Sequence, residues 1–167
     1  TGLEELESIE SLANRIGLSV SMGELEIKDV LASPEEAEKL QVEEGSRLVK
    51  VSRVIYAENR PVAYLIDILT PNVLTEEDLK AGFTGSVLDF LVERGRPRLL
   101  KSFTDIHAVA AQPEIAKKLE IQRGDVLLMF AARLYSEIGE IVDFSLSYFL
   151  PGYFRFHVVR QVMNNEY

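Results

Sequence analysis

The sequence predicts an α+β domain built on one mainly antiparallel sheet with an internal pseudo-twofold repeat. The stretch ASPEEAEKLQVEEG from Ala32 to Gly45 recurs as AQPEIAKKLEIQRG from Ala111 to Gly124, with seven of fourteen positions identical at an offset of 79. Each copy is followed by a β-rich run, a polar turn and a second β-rich run, VKVSRVIYAENRPVAYLIDIL from Val49 and LMFAARLYSEIGEIVDFSLSYFL from Leu128. Strands joined by short turns, with helices set between the pairs, describe antiparallel neighbours in an α+β fold. Two copies cannot stack into a solenoid, so the halves are expected to close on each other as one domain, with function sought between them.

The elements follow in order. Leu3, Leu6, Ile9, Leu12, Ala13 and Ile16 recur at helical spacing and Gly17 follows at a helix end, which predicts an amphipathic N-terminal helix with Glu4, Glu5, Glu7 and Glu10 outward. Leu18 to Ala32 reads as a strand. Ser33 then caps a helix that begins at Pro34, with Glu36 completing a capping box. Leu48, Val49, Val51, Val54 and Ile55 supply the first strand of a pair, AENR at positions 57 to 60 turns the chain, and Pro61 opens the return strand. Short helices are expected from Thr75, with Asp78 three residues on, and from Ser86 to Gly95, with Gly82 and Gly85 punctuating the segment between the halves. Arg96-Pro97-Arg98 leads into a strand to Ala111, and the second copy repeats the order. The alternation in FRFHVVRQV from Phe154 predicts a last, half-buried strand whose open edge would invite pairing.

Composition limits the function. A chain of 167 residues with 47% hydrophobic and 27% charged residues suits one folded domain. It has no apolar run long enough for a membrane span and no signal-peptide pattern, so a cytoplasmic protein is expected. The absence of cysteine removes thiolate metal sites, and His107 and His157, 50 residues apart, lack metal-motif spacing. A formal charge of −9 opposes nucleic-acid binding by this chain itself. No glycine-rich phosphate loop, GxSxG or HExxH occurs, so neither a cofactor nor hydrolytic catalysis is expected. The informative polar residues are Arg53 and Arg133 on the first strands of the two pairs and Asp67 and Asp143 on the return strands. Alternation would point all four at solvent. Alternatively they line a cleft in which an arginine fork and a carboxylate grip a polar metabolite.

The succession SPEEAEKLQVEEGSRLVKVSRVIYAENRPVAY, TPNVL, GSVLDFL and GEIVDFSLSYFLPGYFRFHV resembles the UTRA domain, the effector-binding module of GntR-type bacterial repressors of the HutC subfamily. The resemblance runs from about Leu12 to Val158. It implies a chorismate-lyase-like fold, small-molecule effector binding without catalysis, and homodimerisation. It further implies that residues 1–167 form a single ligand-binding domain, whose helix over 1–17 follows the linker from a winged helix-turn-helix domain that binds operator DNA and is absent from this chain. Family effector contacts carry over to Arg53, Ser86, Arg96 and Asp143, with Tyr148 as the phenol nearest a family tyrosine that aligns with Phe149. Two family positions differ: a second arginine is Ile55 and a return-strand acid is Leu65, departures that suit a smaller or less polar effector than a sugar phosphate, although Ser86 at a helix start with Arg53 could still hold an anion. The competing classes are a chorismate-lyase-like enzyme, for which the arginine pair is incomplete at Ile55, and a dimerisation module with a vestigial pocket.

Overall fold

Six strands form one antiparallel sheet in the order β1-β2-β3-β6-β5-β4 in the computed structural model, which describes residues 6–80, 83 and 85–163. The elements are α1 (Ile9–Arg15), β1 (Val20–Leu31), α2 (Pro34–Leu40), β2 (Arg47–Ala57), β3 (Arg60–Leu69), α3 (Glu76–Lys80), α4 (Val87–Arg94), β4 (Leu99–Ala110), α5 (Pro113–Leu119), β5 (Val126–Ser136) and β6 (Ile141–Phe149). The strand order is a palindrome of the chain order: β1, β2 and β3 on one side, β4, β5 and β6 on the other, with β3 and β6 paired at the centre. Residues 20, 34 and 47, which begin β1, α2 and β2, each lie 79 before the residues that begin β4, α5 and β5.

Local signals account for the element ends. The Ser33 hydroxyl accepts from the Glu36 amide and the Glu36 carboxylate accepts from the Ser33 amide, closing the expected capping box with Pro34 in the first turn. Ser8 caps α1, and Thr75 and Asp78 exchange side-chain to backbone bonds at the start of α3. Glu58 and Asn59 both take positive φ, as a tight two-residue hairpin loop requires. The expected N-terminal helix is present from Ile9, while Leu3, Glu4, Glu5 and Gly82 lie outside the described residues.

Both hairpins carry a bulge at the same place. Ile55 pairs with Ala63 but Tyr56 with Pro61, leaving Val62 as the extra residue; Leu134 pairs with Asp143 but Tyr135 with Ile141, leaving Val142. An extra residue in one strand bends it and re-aims the side chains that follow.

Two layers cover the sheet. On one face α2 and α5 bury Ala37, Leu40, Ile115, Ala116 and Leu119 against Leu48, Val54, Tyr64, Ile66, Ile68, Leu127 and Phe144. On the other face α3 and α4 pack over Val49, Val51 and Leu69, and α1 over Ile55, Ala63, Leu65 and Phe149.

The expected C-terminal strand is not one. Residues 151–163 make only isolated bridges, Pro151 with Phe154 among them. The neighbouring strand β6 is already flanked by β3 and β5, so no edge is open there; the edges are β1 and β4. The alternating aromatics serve packing instead, with Phe154 and Phe156 stacked on each other and both against the Phe149 ring.

Candidate ligand-binding site

A cavity of about 550 Å³ lies on the sheet face opposite α2 and α5, roofed by α1 and the N-terminal turn of α4. Strand alternation places every second residue in it: Arg53 and Ile55 from β2, Leu65 and Asp67 from β3, Asp143, Ser145, Ser147 and Phe149 from β6, and Phe130, Ala132 and Leu134 from β5. On the edge strand β4, Ser102, Thr104 and Ile106 complete the wall.

Three charged residues form a diagonal across β2, β3 and β6. Arg53 stands opposite Leu65 in register, Asp67 two residues further along β3, and Asp67 stands opposite Ser145, two residues after Asp143. Diagonal neighbours on one face lie within reach of long side chains. Arg53 Nη1 donates to Asp67 Oδ2 at 2.5 Å and Arg53 Nε donates to the Gly85 carbonyl at 2.8 Å. All three are buried, at 4% exposure for Arg53, 6% for Asp67 and 5% for Asp143.

The diagonal holds two carboxyls and one guanidinium, so the charge is not balanced in pairs. Burial first, then the Asp67 charge and a hydrogen bond with the Asp67 carboxyl, hold the Asp143 carboxyl well above the usual carboxylate range, while Arg53 and the Ile68 backbone pull the other way. Asp143 Oδ1 is buried and has no hydrogen-bond partner among the described residues. Above the diagonal, burial and then Asp89 raise the Glu10 carboxyl of α1, with Arg53 opposing. Gly85, at φ +110°, passes so close that a Cβ there would meet Glu10 Oε1 at 3.0 Å, and side-chain residues rarely adopt that φ.

The expected site residues separate. Arg53, Ser86 and Asp143 line the cavity, with the Ser86 hydroxyl accepting from the Asp89 amide at the start of α4. Arg96 does not: it is exposed after α4, its carbonyl accepting from Arg94 Nε, in a shallower depression with Pro71 and Asn72. Tyr148 does not either, because it alternates with Ser147 and Phe149 and so faces α2, packing against the helix-side core. Arg133 is one residue out of step with Arg53, since 53 + 79 is 132, and Ala132 is the cavity residue; Arg133 lies over the Phe103 ring at 5.2 Å on the opposite face.

Asp67, Ser145, Ser147 and Glu10 complete the polar lining. For Ser145 and Ser147 the signal is in the sequence, because DFSLS alternates polar and apolar from Asp143 to Ser147. For Glu10 there was none, since only packing brings α1 over the sheet. Among the described residues no group of His, Asp and Glu is placed to hold a metal ion, and no helix is long and apolar enough to cross a membrane.

A single sheet covered by α2 and α5 on one face, with a mixed polar and apolar cavity beneath α1 and α4 on the other, is the build of a small-molecule-binding domain. The UTRA domain family matches residues 16–155, and the chain belongs to that family. Its fold is shared with PhnF from Mycobacterium smegmatis, at a TM-score of 0.83 and 17% identity over 96% of this chain and 71% of that one. The effector domain of the same regulator gives 0.77 and 17%, covering 93% of this chain and 95% of that one. A GntR-family transcriptional regulator from Bacillus cereus gives 0.72 and 18%, covering 86% and 99%. Among curated proteins no sequence relative matches the chain.

Proposed function

We propose that this chain is the effector-sensing domain of a GntR-type transcriptional regulator of the HutC subfamily, acting as a cytoplasmic homodimer. A winged helix-turn-helix domain elsewhere in the protein would bind operator DNA, and residues 1–167 form one ligand-binding unit. The observation that carries this reading is the 550 Å³ cavity with three buried charged residues on its floor, in a chain of the UTRA family. Buried charge facing a void is costly unless something completes it, and a bound ligand does so. The similar solved structures are regulators, which supports binding rather than turnover. A second arginine for a dicarboxylate substrate is also lacking, since the cavity position two residues after Arg53 is Ile55.

The roof gives the site a means of coupling. α1 and the Gly85 to Val87 turn contribute to the cavity but belong to segments outside the sheet, so a ligand that bridges floor and roof favours one placement of α1 over others. Only such differential contact shifts an equilibrium and alters operator affinity. Thermal-shift screening of the chain against a metabolite panel tests binding, because a ligand of the folded state raises the melting temperature by mass action. Operator affinity of the intact regulator with each hit then tests regulation. Hits that leave operator affinity unchanged at saturation would refute the regulatory role, and a panel without hits would favour a dimerisation module. Arg133→Ala, on the opposite face, is expected to bind each hit as the parent does.

A further inference from the structure

Arg53 on the cavity floor is already committed, whereas Asp143 keeps a buried oxygen without a partner among the described residues. Arg53 is tied on its Nε edge to the Gly85 carbonyl and through Nη1 to Asp67. Lys101, which lines the cavity from the edge strand β4, has its Nζ 5.5 Å from the Tyr135 ring centroid, and Tyr135 packs toward the face covered by α2 and α5. Just before α1, Glu7 is paired with Arg15 at the end of that helix. The start of α4 does not offer an anion site, because the Ser86 hydroxyl is engaged by the Asp89 amide and Asp89 places its own carboxylate in the first turn. What remains is Asp143 on the floor, nineteen-twentieths buried with Oδ1 unpartnered, and Glu10 in the roof, near Arg53 and Asp89.

Resting on the reading of the cavity as an effector site, we propose that the effector carries a primary ammonium group received by Asp143, and by Glu10 from above. Its body is apolar, seated against Ile55, Leu65, Phe130 and Phe149, with Ser145 and Ser147 available to a hydroxyl. Without a cationic ligand the excess negative charge is relieved by keeping Asp143 protonated, which is the direction in which burial and Asp67 drive it. An entering ammonium supplies the missing positive charge, and the Asp143 proton leaves to solvent. Ammonium binding therefore releases a proton and tightens as pH rises. A carboxylate or phosphate would meet Asp67, Asp143 and Glu10 with the Arg53 guanidinium on the floor and Lys101 at the edge strand to offset them, and its binding beside Asp143 would weaken as pH rises.

The experiment compares three probes of one shape, 2-phenylethylamine, 2-phenylethanol and 3-phenylpropionate, titrated into the chain by NMR from about pH 5 to about pH 8. The amine stays protonated throughout, so any pH dependence belongs to the protein. The expected result is an amine affinity at least about tenfold above the alcohol and the acid, rising with pH. In Asp143→Asn, which keeps shape and loses the charge, that preference and most of the pH dependence should disappear. Failure of the amine to bind, equal or tighter binding of the alcohol or acid, or an affinity that falls with pH would each overturn the ammonium assignment. Where the alcohol or the acid binds as tightly as the amine or more tightly and its shifts map to the cavity, the ammonium assignment falls while the effector-site reading stands. An Asp143→Asn protein that binds the amine as the parent does would place the cation elsewhere and overturn it equally.

Discussion

Replacing Arg53 by methionine keeps most of the side-chain length and removes the cation bonded to Asp67 on the cavity floor. The Arg53 and Asp67 side chains are 5% and 9% exposed, so water is not positioned to take the place of the guanidinium. Breaking a buried ion pair from one side costs roughly 3–5 kcal/mol because the partner is left buried and uncompensated. Arg53→Met is expected in the upper half of that range, since the Gly85 carbonyl also loses its donor. Removing an acid is different. In Asp67→Asn, Arg53 keeps the Gly85 carbonyl and Asp143 lies next along the diagonal, so relief of the carboxyl–carboxyl contact offsets much of the lost pair and the cost should be about 1–2 kcal/mol. For a chain of this size each kcal/mol moves the melting temperature by about 2–4 °C, which places Arg53→Met on the order of 10 °C below the parent. Equilibrium urea unfolding at neutral pH, followed by far-ultraviolet circular dichroism because the chain has no tryptophan, measures both variants. An Arg53→Met protein within about 1 kcal/mol of the parent, or an Asp67→Asn protein as unstable as Arg53→Met, would refute the reasoning.

Two further outcomes follow from the same floor and its roof. Asp143 holds its proton to higher pH in the folded protein than at its ordinary value near 3.8, so its contribution to stability is full below that value and is lost as pH rises through the folded pKa. The Asp143→Asn protein should therefore gain on the parent as pH increases, which urea midpoints across the pH range would show, and a difference independent of pH would count against it. Ser86→Ala removes the cap of α4 and should cost about 1 kcal/mol, readable as a lower urea midpoint with an unchanged slope.

Much of the fold is legible because its signals are local. Ser33 with Glu36, Ser86 with Gly95, and Glu58-Asn59 each act over a few residues, and the bonds they make in the structure are the ones their spacing implies. The site is less legible. Arg53, Ser86 and Asp143 were read from family positions and do meet in one cavity. Tyr148 does not, because a side chain's facing depends on strand phase, which a single shifted residue reverses, and Arg96 does not, because it lies in the connection between α4 and β4, exposed and away from the cavity.

By itself the sequence determined the order of elements, the two halves at an offset of 79 and the polar alternation of DFSLS, since each rests on composition, spacing or neighbouring residues. The tertiary structure decided which of the polar residues share a void. The Val142 bulge sets the phase in which Asp143 enters the floor. The central pairing of β3 with β6 brings Asp67 and Asp143, 76 residues apart in the chain, onto one diagonal. Packing of α1 across the sheet supplies Glu10. Each depends on contacts between segments remote in sequence, where the free energy of burial selects the arrangement and no local pattern records the choice.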